Sequence, residues 1–557
     1  MSVLKDKERP EGSRITRRDI LKGALSLPVL GLFGQQLLKK KELDAEKKKH
    51  LIDELQLDGL GVDGEKTEGR FQDGKRIEER RPGEAPAIQP QTTGKPAGEL
   101  IRLGIIGCGT RGEQLARALG FARPEWIAGA KEAAEKNKLD TRLKDWLNQE
   151  DLNVAVTAVC DVFELRLQEG SSAVQSSLRP GSGNSGKASP APAQYRDYHD
   201  LLARSDIDAV IIATPDFQHA PIALAAIAAG KHVYCEKCMT RTEEETHALR
   251  ASVKKSNIVF QLGHQYPQNA CYGKAKEIIA KNILGKITLI ETSTNRNTNS
   301  GAWVRHLDSK GQPRPGNPQS IDWKRWLGGR PEVPFSIDRY YNWSKWWDYA
   351  TGLSGQLYCH EVDIVNQLLG VGIPASVVAS GGIYFHKDNR EIPDIWTVTC
   401  EFPDHDLTHV YSATLANSRK RARLFMGHDA VMELSDTLQV LVDGDSTRYQ
   451  RSLRQGNVAP NQTIISYQPG MGTLDMVTSA SEKFYASRGL VYTYHDGRRV
   501  DITYLHLKEW LDCIRNGGTP SCPIDKAFEA TITCHMATRS YREQRRVTWD
   551  KVQQKIV

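Results

Sequence analysis

The sequence predicts an α/β protein, with an N-terminal doubly wound parallel sheet and a C-terminal α/β domain on a mainly antiparallel open sheet. Three observations carry this. A glycine-rich turn separates an apolar strand-like run from a helix start at Leu100–Leu115. Between residues 153 and 262, short apolar runs alternate with helical stretches, the order expected of parallel strands with crossover helices. Beyond that, strand-like segments follow one another with loops between, which favours antiparallel pairing.

Taken in order, Ser13-Arg14-Ile15-Thr16-Arg17-Arg18-Asp19-Ile20-Leu21-Lys22 precedes a short apolar run, Ala24–Gly34. Twin arginines before a modest apolar segment resemble a bacterial twin-arginine export signal. The expectation for 1–35 is therefore export to the periplasm through the twin-arginine machinery. No Ala-x-Ala cleavage site follows Gly34, so a retained membrane tether stays open. Residues 36–99 are rich in Lys, Glu, Gly, Pro and Gln, with Pro82, Pro86, Pro90 and Pro96 near the end, and read as a flexible linker.

The formal charge of +7 is concentrated at the start, where residues 1–50 hold 13 Lys or Arg against 7 Asp or Glu. With little net charge beyond residue 50, nucleic-acid binding is not expected. No apolar run is long enough to span a membrane. Of the ten cysteines only Cys235 and Cys238 form a CxxC, without a second pair at ligand spacing, so no metal site is expected.

Residues 100–264 are expected to form a dinucleotide-binding domain. Gly107 permits the tight turn, Gly109 lets backbone approach a pyrophosphate, and Gly112 lets the helix pack on the strand. Arg111, inside the turn, is expected on the cofactor side. The pyrophosphate would meet the positive end of the helix. Phe121–Glu150 reads as an inserted, charged surface helix. The run from Asn153 ends in Asp161, whose carboxylate suits a ribose 2′-hydroxyl and repels a 2′-phosphate, favouring NAD over NADP. It lies 49 residues after Gly112, against roughly 20 in the usual fingerprint, and the insertion accounts for the excess. Gln168–Gln194 is Ser-, Gly- and Pro-rich and reads as a loop. Strands follow at Asp206–Thr214, Lys231–Cys235 and Ile258–Leu262, with a helix over Ala220–Ala229.

Residues 265–545 are expected to form the second domain. Its strand candidates begin at Lys286, Ala375, Ile395, Leu407 and Val440, and amphipathic helices over Tyr504–Asn516 and Lys526–Arg545 close it. Six of the 11 tryptophans, at 303, 323, 326, 343, 346 and 347, fall between the domains. Aromatic faces stack on pyranose rings. Trp343 is therefore a substrate candidate, and Asn295, Arg296, Asn297 and Arg305 are candidate hydrogen-bond donors, although most of these tryptophans are expected to pack in the core.

Five segments in order carry a family resemblance: the Gly107 turn; Ala213-Thr214-Pro215-Asp216-Phe217-Gln218-His219; Gly230-Lys-His-Val-Tyr-Cys-Glu236-Lys237; Gly355-Gln356-Leu-Tyr-Cys-His360-Glu-Val-Asp363; and Leu507-Lys-Glu-Trp-Leu-Asp-Cys-Ile-Arg-Asn-Gly517. Over about residues 100–545 the chain resembles the Gfo/Idh/MocA oxidoreductases, the glucose-fructose oxidoreductase and inositol dehydrogenase group. The resemblance implies that Thr214, Pro215 and His219 line the adenosine and nicotinamide-ribose side. It implies too that Glu236 holds that ribose or positions Lys237, and that Lys237 contacts cofactor and substrate hydroxyl. The open second sheet often mediates oligomers in that family, so a homo-oligomer is expected. Cys238 replaces the family proline, leaving the peptide after Lys237 open between cis and trans. His360 is the acid/base candidate, since an ordinary imidazole titrates near neutrality. Asp363, one turn on, is expected to contact or orient it and to lie on the substrate side. Gln356 stands where many members carry aspartate, so it can hydrogen-bond a substrate hydroxyl but accept no proton.

The leading expectation is an exported, NAD-binding oxidoreductase acting on a secondary hydroxyl of a sugar, cyclitol or glycoside. Two alternatives stand beside it: an NAD-dependent glycoside hydrolase working by transient oxidation with no net redox change, and a non-catalytic carbohydrate-binding relative.

Overall fold

The structure, a computed structural model, describes residues 98–175, 190–297, 305–308, 311–469, 492–495 and 498–557. The expected signal segment, nearly all of the expected linker, and Trp303 lie outside them. The first sheet has six parallel strands: β1 (Ile101–Ile106), β2 (Val154–Cys160), β3 (Ala193–Tyr195), β4 (Ala209–Ile212), β5 (His232–Cys235) and β6 (Phe260–Leu262), in the order β3-β2-β1-β4-β5-β6. β4 is buried along its whole length, which is why it reads as a continuous apolar run. The order reverses between β1 and β4, so a crevice opens beyond their carboxyl ends, where ligands bind in this architecture.

The insertion before β2 is helical, as the long spacing to Asp161 requires. Helices α1 (Thr110–Ala118), α2 (Pro124–Lys136) and α3 (Arg142–Leu147) run in succession, and Trp146 anchors the last by donating its indole N–H to the Arg117 carbonyl. One expectation fails: α4 (Glu164–Gln175) occupies the start of the Ser/Gly-rich stretch read as a loop from Gln168. Ser171, Ala173 and Val174 are buried there, and that packing outweighs the turn-favouring composition.

The second sheet has ten strands. Its centre is β7 (Ile287–Asn295), β8 (Ser376–Gly382), β9 (Ile395–Phe402), β10 (Leu407–Thr414) and β11 (Arg423–Gly427), and all its pairings are antiparallel except β10 with β7. Burial alternates strictly along β10, so one face is covered and the other faces outward. The sequence reading missed several short strands, among them Ala430–Leu434 and Val547–Asp550.

Two late helices complete the first domain. In α8 (Ile502–Asn516), Tyr504, Leu505, Leu507, Trp510 and Leu511 join the core formed by β1, β2 and α1. Trp510 is fully buried against Tyr234 of β5. Truncating such a side chain to alanine costs about 3–5 kcal/mol. Cys522, Ile524 and Ala527, the last two from α9 (Ile524–Glu543), enter the core on the opposite face of the sheet. Between these domains runs α7 (Cys359–Leu369), preceded by a π-helical turn, Ser354–Tyr358.

Candidate active site

A cleft of about 800 Å³ runs past the carboxyl ends of β1 and β4 to the π-helical turn. Its two ends differ. At the first, Gly107 has φ +92°, and an added Cβ would lie 2.6 Å from the Ala213 carbonyl oxygen. A Cβ on Gly112 would collide with the Gly107 carbonyl, so Gly112 serves helix packing. Gly109 caps α1 and borders the cleft, with nothing within 4 Å of the position a Cβ would take. A side chain there would occupy the space into which a pyrophosphate fits, against the exposed N–H groups of the helix start.

Asp161 borders the same end. Its two carboxylate oxygens accept from the backbone N–H groups of Cys108 (2.8 Å) and Phe163 (2.9 Å). Burial pushes this carboxyl up, and the two N–H donors oppose that shift. Each oxygen keeps a lone pair for a ribose hydroxyl. The groups present therefore fit an NAD dinucleotide.

At the other end Lys237 follows β5, and the Lys237–Cys238 peptide is cis. Lys237 Nζ donates to the side-chain oxygen of Gln356 (3.1 Å) and to its carbonyl (3.3 Å). The Gln356 amide nitrogen donates to both oxygens of Asp216 (2.8 and 2.7 Å). Gln356 borders the cleft and is engaged at both ends of its amide, so a substrate hydroxyl would share its side-chain oxygen with Lys237. Asp216, at the start of α5 (Asp216–Ala228), was not singled out in the sequence. An acid directly after Thr214-Pro215, where a strand gives way to a helix, was the available signal.

His360 lies in the first turn of α7 and borders the cleft. Asp363 does not orient it, contrary to expectation: its carboxylate lies 3.4 Å from Nδ1 of His264, and both residues are buried away from the cleft. One turn of helix brings Asp363 level with His360, but the side chain points across to the segment after β6. Burial opposes a charge on His264, yet the Asp363 carboxylate outweighs it and raises the ring above the usual imidazole range. The His264 and His360 ring centroids are 5.2 Å apart. Burial, then the positive charges of His264 and Lys237, hold His360 well below its ordinary value. That shift favours the uncharged ring. His264 was missed, although its place just past the carboxyl end of a parallel strand marked it.

Other candidates sort cleanly. Thr214 and Pro215 border the cleft. His219 does not: it is buried, with Nδ1 2.5 Å from the Cys238 carbonyl oxygen and Nε2 2.8 Å from that of Thr214. This corrects its expected place on the cofactor wall, because its side chain ties the loop after β4 to the loop after β5. Glu236 pairs with Arg111 at 2.7 Å, and both border the cleft. Trp343 and Arg305 also border it, the guanidinium 5.7 Å from the indole centroid. Burial lowers Arg305 to about 10. Asn295 and Asn297 instead donate to the carbonyls of Arg419 and Ala416. Trp326 and Trp346 are buried with Phe217 and Tyr349 in a cluster against which Trp343 packs, and Trp326 and Phe217 also border the cleft.

Residues 101–264 match the profile described as an oxidoreductase family, NAD-binding Rossmann fold, and residues 315–549 match that family's C-terminal alpha/beta domain. The chain belongs to the Gfo/Idh/MocA oxidoreductase family. Within it, a levoglucosan dehydrogenase of Pseudarthrobacter phenanthrenivorans is 41% identical over 91 residues, 16% of this chain and 23% of the relative. An inositol 2-dehydrogenase of Salmonella typhimurium is 27% identical over 169 residues, 30% of this chain and 43% of that one. Aligned stretches thus span less than half of either relative. The solved levoglucosan dehydrogenase in complex with NADH and L-sorbose superposes with a TM-score of 0.53 at 17% identity, covering 81% of this chain and 99% of its own, a likeness of fold. This Gfo/Idh/MocA chain has an NAD-binding first domain.

Proposed function

We propose that the protein oxidises a secondary hydroxyl of a sugar, cyclitol or glycoside with NAD as hydride acceptor. The observation that carries this reading is the arrangement of Lys237 and His360 on one cleft with the Gly109 and Asp161 end. Bound NAD would take the hydride. His360, partly exposed on the cleft, accepts the hydroxyl proton. Lys237, with two N–H groups on Gln356, keeps a third for the substrate oxygen as negative charge develops on it. Trp343 and Arg305 give the substrate end an aromatic face and a donor. Relatives named as levoglucosan and inositol dehydrogenases support the substrate class. Incubating the purified protein with NAD and a panel of glycosides, cyclitols and free sugars tests it. Growth of NADH absorbance with one of them supports the reading; a protein that neither binds NAD(H) nor changes any of them overturns it.

One observation favours a second reading. Arg17-Arg18 before Ala24–Gly34 suits export of an already folded protein to the periplasm, tethered or released, with its nucleotide held rather than exchanged. A held NAD would support glycoside cleavage by transient oxidation, elimination and re-reduction. Mass spectrometry of nucleotide released on denaturation, together with reducing sugar formed without net NADH, distinguishes the two. No helix among the described residues is long and apolar enough to cross a membrane. The outward face of the second sheet, with Val378 of β8 40% exposed, suits a homo-oligomer, which sedimentation would test.

A further inference from the structure

We propose that Asp216 is a positioning residue for Lys237, acting through the Gln356 amide. This rests on the oxidoreductase reading of the site and goes beyond it by naming what fixes the lysine.

Three side chains form a line. Asp216 is 1% exposed, and both its carboxylate oxygens accept from the Gln356 amide nitrogen. Thr351 adds weaker contacts to the same carboxylate from its backbone N–H (3.5 Å) and hydroxyl (3.4 Å). A primary amide presents an acceptor on one side and donors on the other. With the donors held by a buried carboxylate, the oxygen must face away, and there it meets Lys237 Nζ. Turning the amide over would set oxygen against carboxylate and NH₂ against ammonium, repulsive on both sides. Asp216 therefore decides which end of Gln356 the lysine meets.

An aspartate in place of Gln356 would put a carboxylate against the lysine directly. Here the charge is moved one link back, and a neutral amide stands between. The arrangement keeps Lys237 bound by two oxygens of one residue and leaves it a donor toward the cleft, while Gln356 cannot compete with His360 for the hydroxyl proton. Asp216 itself touches no reacting atom in this scheme.

The test exchanges the two polar groups. In D216N an amide that can turn either way replaces the fixed charge, so the Gln356 amide is no longer held in one orientation, and kcat should fall about 30-fold while NADH affinity, read by fluorescence titration, changes less than about threefold. In D216N/Q356E the carboxylate sits beside Lys237 and accepts from the new asparagine, so kcat should recover about tenfold over D216N. A crystal structure of D216N should show Lys237 Nζ withdrawn from the side-chain oxygen of residue 356, and one of the double variant should show the contact restored. Lys237 unmoved in D216N, or a double variant no faster than D216N, would overturn the proposal. Should D216N alone not fold, the double variant decides: at least about a tenth of parental kcat supports the relay, and less than about a hundredth overturns it. If the parent binds no NADH and turns over no sugar, the oxidoreductase reading fails, while the two crystal structures still decide the role of Asp216.

Discussion

At the fingerprint end of the cleft the groups that meet a ligand are mostly backbone, set by three glycines within six residues and by a carboxylate pinned by two main-chain N–H groups. At the Lys237 end they are side chains drawn from segments far apart, Lys237 on Gln356 and Gln356 on Asp216, with His360 beside them and the buried His264–Asp363 pair behind. Backbone geometry tolerates little change but asks little of distant sequence. The side-chain end can be retuned, provided partnered residues change together.

The sharpest way to break this contrast is at the side-chain end. Lys237→Met should lower kcat by about a thousandfold, some 4 kcal/mol, with NADH binding retained. Parallel loss of NADH affinity would mean that the two ends are not separable. At the backbone end, Gly112→Ala should destabilise the fold by about 3 kcal/mol in urea unfolding, because the new methyl meets a carbonyl that cannot move. Gly109→Ala refines the point. Nothing crowds its Cβ and its φ of −69° suits alanine, so stability should hold while NADH affinity drops about tenfold.

A pH profile probes the side-chain end more gently. His360 must be neutral to accept a proton, and burial together with the His264 and Lys237 charges lowers its proton affinity. Activity should therefore persist as pH falls below about 6.5, the ordinary imidazole value. In His264→Gln one positive neighbour is gone, His360 binds its proton more readily, and the acid limb of kcat/KM should move up by about one pH unit. An unmoved limb would remove His264 from the site's electrostatics. The smallest effect is expected at Trp343→Ala, a KM for sugar raised about fivefold with kcat held.

Both the glycine turn and the parallel strands were legible because their causes are local: a positive φ, a short helix approach, a fully apolar run. Lys237 and His360 were legible because each follows an element boundary inside a family motif. The pairings were not. Asp363 at one turn from His360 looked like its partner, yet a buried carboxylate is decided by whichever cation packs against it, here His264 from beyond β6. His219 looked like a cleft residue because its motif borders the cleft, but two inward carbonyls claim both of its ring nitrogens. Gln356 was read as a loss of acid, and only the fold brings Asp216 to it. In α4, burial of Ser171 and Ala173 reversed a compositional signal for a loop.

The way α8 and α9 close the first domain also bears on how the chain is made. A ribosome that has reached residue 264 has produced all six strands of the dinucleotide sheet and the whole glycine turn. It has not yet produced Trp510 and its neighbours, which cover one face of that sheet, or Ile524 and Ala527, which cover part of the other. Until those segments emerge, the sheet leaves apolar surface to water that the finished protein hides. A fragment ending at residue 264 would therefore expose apolar surface on both faces of its dinucleotide sheet.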